Sequence, residues 1–269
     1  MSNPSKAGAP PAGASGDPGA PPGAAPRPWG VWATLGLGLV IATAFVAAQI
    51  FVGIIFSVVA TATGHEQVLM DAKKLQASGL FLALTTCGAA PAGIGLTCLF
   101  ARLRRGISIA EYLALKCVPA KELFRWCVAL LALAVLSDGL SWWLGRPIVP
   151  EVIVAEYRTA WFPPLLWFAV VVLAPLNEEI FFRGFIFAGI SRSPMGGWGA
   201  TLLTATAWSA VHFQYDWYGV ANIFVVGLLL GYARMKTNSI APTILMHALM
   251  NLMTTFQVAT LIRLVGDAK

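Results

Sequence analysis

Seven long apolar runs, at roughly 30–60, 78–101, 124–144, 161–190, 198–216, 218–235 and 239–262, take up most of this 269-residue chain. Most are near the ~20 residues a helix needs to cross a bilayer, so the pattern predicts an all-α, polytopic bundle of seven transmembrane helices. The fourth run is too long for one straight span, and Pro175 lies within it. It is either one kinked, tilted helix or two pieces joined at 175–177, and the second choice gives eight helices. Residues 1–28, a Pro/Gly/Ala/Ser tract, hold too few large apolar groups to offset the entropy of ordering and are expected to be a disordered tail. They lack the apolar core of a signal peptide, and no lipidation box ends the chain at Gly266-Asp267-Ala268-Lys269. Residues 29–160 then hold the N-terminal membrane helices, 161–262 the core with the candidate chemistry, and 263–269 a short tail.

Composition sharpens this picture. At 58% hydrophobic and 11% charged residues, with a mean hydropathy of +0.73, the chain cannot give a soluble domain its charged exterior. The net charge of +6 does not point to nucleic acid, because six basic residues cluster between Arg102 and Arg125, between two apolar runs. With seven spans, the side of the N-terminus carries Lys6, Arg27, those six, Arg192, Arg234 and Lys236, eleven in all, against six on the other side. The positive-inside rule then predicts a cytoplasmic N-terminus, and the Pro/Ala-rich tail and lack of organellar targeting point to a bacterial inner membrane. Cys87, Cys98, Cys117 and Cys127 show no CxxC spacing and read as small buried hydrophobes.

Against this background the segment Pro175–Phe185, PLNEEIFFRGF, is anomalous, because it sets two acids and an arginine inside a membrane run. Glu179 and Arg183 are four apart and share a helix face, so they are expected to pair and leave Glu178 free to turn into the bundle. Of three histidines, His212 and His247 also fall in apolar runs, and Asn251 follows His247 by one turn. At 1.5 Å of rise per residue, Glu178, His212, His247 and Asn251 lie about 18, 21, 12 and 18 Å from one membrane face. Asp138 and Asn222, also polar in apolar runs, lie about 20 Å deep and are expected to support the site or line a substrate groove.

A carboxylate and two imidazoles at one depth suit two chemistries. Glu178 can act as general base toward a water shared with His212, while His247 and Asn251 donate to a developing oxyanion. Alternatively Glu178, His212 and His247 can hold a zinc ion with one position open for water. Either arrangement suits amide hydrolysis, and the sequence leaves metal dependence open. Two other classes compete: a non-proteolytic scaffold or chaperone that uses the polar layer to bind a partner helix, and a proton or ion carrier. Serine and cysteine nucleophiles are excluded, since none sits beside a histidine with a partner acid.

The strings EEIFFR (Glu178, Glu179, Arg183), WSAVH (Trp208, His212) and HALMN (His247, Asn251) resemble the EExxxR, FxxxH and HxxxN motifs of the CPBP family of intramembrane proteases. That family includes the CAAX prenyl endopeptidases and Abi-type immunity proteins. The resemblance covers about residues 161–255 and departs from the pattern at Trp208, where the family usually has Phe; an aromatic ring is kept, so packing rather than catalysis is in question. It implies an intramembrane endopeptidase in which Glu178 activates water with His212, and His247 and Asn251 stabilise the oxyanion. The expected partners are membrane lipid and a peptide or protein with a membrane-associated segment.

Overall fold

The computed structural model describes residues 27–65 and 71–266, and among these it is helical with no strand. The expected disordered tail lies outside them except for Arg27 and Pro28. In chain order the helices are α1 (Val31–Ala62), α2 (Ala72–Gln76), α3 (Gly79–Leu103), α4 (Ile109–Tyr112), α5 (Ala120–Trp143), α6 (Glu151–Arg158), α7 (Pro163–Ser191), α8 (Gly196–Ala210), α9 (Trp217–Thr237) and α10 (Ala241–Gly266). Six of them, α1, α3, α5, α7, α9 and α10, are long and apolar enough to cross a membrane. The protein is thus an all-helical integral membrane protein.

That is fewer than the seven or eight spans expected, and the difference lies in the fifth apolar run. It forms only the 15-residue α8, about 22 Å long and short of a full span. Two helix-end devices fall inside the run. The ring Nδ1–H of His212 donates to the Trp208 carbonyl at 2.7 Å, satisfying one of the carbonyls left open at a helix C-terminus. Four residues later, Asp216 caps α9 by accepting the Gly219 N–H at 2.8 Å. α8 packs antiparallel on α9, with Gly197 beside Met235, Thr201 beside Gly231 and Ala205 beside Gly227.

The long fourth run is one continuous helix, not two. Pro175 has no N–H to offer the preceding turn, and α7 absorbs this by widening to π-helix over Phe168–Leu173, where the Ala174 N–H reaches back to Ala169. The next carbonyl in that pattern, Val170, faces Pro175 and is met instead by the side-chain amide of Asn251, at 2.7 Å. A second π-helical stretch covers Ile180–Ile186.

Two apolar clusters hold α7 from opposite sides. One joins Ile41, Tyr112, Leu113, Phe185, Ile190 and Ile240; the other joins Trp126, Leu130, Phe182, Trp208, Leu230 and Met246. Large apolar side chains such as Trp32, Phe51, Leu136 and Trp142 are well exposed, as a lipid-facing surface requires. Short ties close the ends: the Thr159 hydroxyl accepts the Gly79 N–H and donates to the Ala77 carbonyl, fastening the end of α6 to the start of α3.

At that junction the chain approaches closely enough to require glycine, because a Cβ at Gly79 would lie 1.9 Å from the Glu156 carbonyl oxygen. Gly79→Ala is expected to lower stability by about 3 kcal/mol. Gly36→Ala, on α1 with nothing within 4 Å of the new atom, should be neutral or slightly stabilising. Thermal unfolding of both variants in one detergent makes the comparison. The same junction sets a pH dependence, because burial pushes the Glu156 carboxyl up to about 7. Its proton is held more tightly folded than unfolded, so stability is full at low pH and is lost as pH rises from the ordinary carboxylate range through about 7. The loss should be at most about 3 kcal/mol, and Glu156→Gln should flatten it in melts compared at pH 5 and pH 8.

Candidate active site

α7 sets Glu178, Glu179 and Arg183 where α8, α9 and α10 converge. The Glu179–Arg183 pair forms as its spacing predicts: Arg183 Nη1 lies 2.8 Å from Glu179 Oε1, and both side chains are fully buried. The same carboxylate oxygen accepts from His247 Nδ1 at 3.0 Å, while Arg183 Nη2 donates to the Gly227 carbonyl at 3.3 Å. The guanidinium also stacks 4.7 Å above the Trp208 ring. Buried charges are tolerated only with such a shell of partners.

Glu178, one residue earlier, turns the other way and keeps 24% of its side-chain exposure. Its Oε2 accepts the Trp208 indole N–H at 2.5 Å and lies 4.0 Å from His247 Nε2. Trp208, 1% exposed, sits between the histidines, with ring centroids 5.3 Å from His212 and 5.0 Å from His247, both edge-on. A carbonyl only accepts, so the Trp208 carbonyl fixes the hydrogen of His212 on Nδ1 and leaves Nε2 open. Likewise Glu179 fixes the His247 hydrogen on Nδ1 and turns Nε2 toward Glu178.

The structure therefore brings Glu178, Glu179, Arg183, Trp208 and His247 together, and His212 joins them through its contacts with Trp208. His212 reaches the group from the turn after α8, not from inside a span, because the helix stops at Ala210. Asn251 shares the α7-facing side of α10 with His247, as its spacing requires, but one amide hydrogen is committed to Val170. Asp138 is drawn elsewhere: it accepts from Gln257 at 2.9 Å and ties α5 to α10. Asn222, half-buried on α9, makes no hydrogen bond to the Glu178 group among the described residues. Nor do Glu178, His212 and His247 form a zinc donor set as placed: among the described residues no three His, Cys, Asp or Glu side chains come together to hold a metal ion.

Two contributors escape a sequence reading. Arg234, counted above as a loop charge, is buried; it donates to the Arg183 carbonyl at 2.9 Å and to Asn238 at 3.0 Å, bracing the second π-helical stretch. Its only signal is Asn238, one turn on, which adopts the left-handed conformation and ends α9. Burial, and then the nearby charges of Glu156 and Glu178, push the phenol of Tyr215, in the turn after α8, well above the usual tyrosine range. No motif marks it.

Residues 160–253, the stretch that holds this arrangement, match the family model described as type II CAAX prenyl endopeptidase Rce1-like. This core is similar to the CPBP/CAAX proteases. Among curated proteins, the chain is similar to an uncharacterized 24.3 kDa protein of Escherichia coli, 35% identical over 80 residues, which cover 29% of this chain and 37% of that one. It is also similar to UPF0177 protein YxdF of Lactococcus lactis subsp. lactis (strain IL1403), 25% identical over 81 residues, covering 30% and 43%. The chain thus spans less than half the length of these relatives. No solved structure matches it.

The buried pair lends itself to a stability test, because its two charges satisfy one another. Arg183→Met alone strands a buried carboxylate and should cost about 3–5 kcal/mol. Adding Glu179→Gln removes the stranded charge, so the double variant should be more stable than Arg183→Met. Denaturation midpoints of the two variants and the wild type measure the difference.

Proposed function

We propose that this protein is an intramembrane endopeptidase in which Glu178 and His247 activate a water molecule against a peptide bond of a membrane-associated or lipidated substrate. The observation that carries the reading is the 4.0 Å between Glu178 Oε2 and His247 Nε2. The gap is too long for a direct hydrogen bond and short enough for one water oxygen to bond to both groups. Glu178, partly exposed where Glu179 is sealed, is the group that water can reach.

On this reading Glu178 takes a proton from water as its oxygen attacks the scissile carbonyl carbon, and later passes that proton to the leaving nitrogen. His247, held by Glu179, keeps one orientation throughout. Asn251 offers its second amide hydrogen to the oxyanion. No step is assigned to a metal, because the donor groups do not converge on one. The charge bias toward the side of the loop at 104–119 supports a cytoplasmic N-terminus, and the relatives of Escherichia coli and Lactococcus lactis suit a bacterial cell membrane.

The test is cleavage of a quenched membrane-peptide library by the purified protein. Glu178→Gln should lower turnover at least about a thousandfold and His247→Ala at least about a hundredfold, within the range expected for loss of a general base and its partner. Cleavage should survive a chelator; chelator-sensitive cleavage with stoichiometric zinc would favour the metallopeptidase alternative. A Glu178→Gln protein that keeps its cellular function would instead favour the scaffold.

A further inference from the structure

We infer that Trp208 is a positioning residue for Glu178, its indole N–H fixing carboxylate oxygen Oε2 where it also meets the water shared with His247 Nε2. The inference deepens the proteolytic reading and rests on it for its kinetic consequences, but the contact itself does not.

The aromatic ring alone would be served by phenylalanine. Tryptophan adds one donor, and that donor is spent on Glu178 Oε2 at 2.5 Å. A glutamate's terminal torsion is broad, so an unanchored carboxylate swings between orientations; an N–H on one oxygen selects one of them. Oε2 has a second lone pair beside the one that the indole N–H takes, and that pair faces His247 Nε2 across the 4.0 Å gap.

The donor is itself immobile. The ring is buried against Leu230 and Met246 in the second apolar cluster, and it rests on Gly227, where an added Cβ would approach ring atom Cε3 to 3.2 Å and the Ala205 backbone to 3.1 Å. The Arg183 guanidinium over its face draws electron density from the indole and strengthens the N–H as a donor. The Trp208 carbonyl, meanwhile, sets the tautomer of His212, and the ring edge holds both imidazoles about 5 Å from its centre. One residue thus governs the carboxylate orientation and one imidazole tautomer.

Two arms test this. In the first, the ultraviolet resonance Raman difference spectrum of wild type minus Trp208→Phe isolates the Trp208 band. It should show a strongly hydrogen-bonded indole N–H and shift to the weakly bonded position in Glu178→Ala. A band that ignores Glu178→Ala would overturn the inference whether or not the protein cleaves peptides. The second arm uses the quenched peptide selected in the library assay. Trp208→Phe should lower kcat about ten- to hundredfold, the worth of one hydrogen bond to a charged group, with KM within about twofold of wild type. In a double-mutant cycle with Glu178→Asp, whose shorter side chain already withdraws from the indole, Trp208→Phe should add little. Additive losses, or a change confined to KM, would make Trp208 a packing residue only. Thermal melts of Trp208→Phe should stay near wild type, and a collapse in stability would count against positioning as well.

Discussion

The Glu179–Arg183 ion pair is the constraint on which the rest of the core turns. Two full charges with no exposure, in a bundle whose exterior is lipid, carry a desolvation cost of several kcal/mol each. The chain offsets it with one partner from each of three neighbouring helices: His247 from α10 on the carboxylate, the Gly227 carbonyl from α9 on the guanidinium, and the Trp208 ring from α8 over its face. Each partner ties its helix to α7. Satisfying the pair thus assembles four helices around it, and Glu178, the adjacent residue, is carried into the space between α8 and α10.

A helix that carries this load is not regular. α7 widens to π-helix twice, and each widening leaves a carbonyl that takes a side-chain donor from elsewhere: Asn251 meets Val170 and Arg234 meets the carbonyl of Arg183. With no water in a bilayer core to satisfy stray carbonyls, irregular backbone is stable there only when other protein groups complete it. Pro175 makes the first π-helical stretch necessary and Asn251 makes it tolerable, so a residue expected to face substrate is in part a brace for the backbone that presents Glu178.

The sequence made the chemistry of this core more legible than its backbone. The i, i+4 spacing of Glu179 and Arg183 specified their pairing, and the alternation with Glu178 specified that it turns away, since both follow from helix geometry alone. The same rule placed His247 and Asn251 on one face, and both do bond to α7, though to different groups. Hydropathy could not show that the fifth apolar run ends its helix at Ala210, because Val211, His212, Phe213 and Tyr215 sustain the apolar or aromatic signal while His212 and Asp216 act as caps through their side chains. Arg234 was obscure for a related reason: a cation near a helix end reads as a residue reaching for the interface, and only the turn of the chain at Asn238 folds it inward.

The short α8 has a consequence for the proposed hydrolysis. A reaction that consumes water inside an apolar bundle needs a break in the packing, and a full-length eighth helix would have closed the layer over Glu178. Instead the chain leaves the helix at Ala210 and turns through His212 to Asp216, with Phe213 and Trp217 exposed. The turn is not loose. Arg146 pairs with Asp216 at 2.5 Å and stacks 5.1 Å from Trp217 and 4.7 Å from Tyr218, while the Tyr218 hydroxyl bonds Ser141 at 2.9 Å. Both anchors come from α5 and the segment just after it, so the end of α5 fixes the turn that carries His212. The opening beside Glu178 is therefore built by stopping one helix early and fastening its exit, which exposes a single carboxylate while its neighbour, one residue away, stays sealed with Arg183.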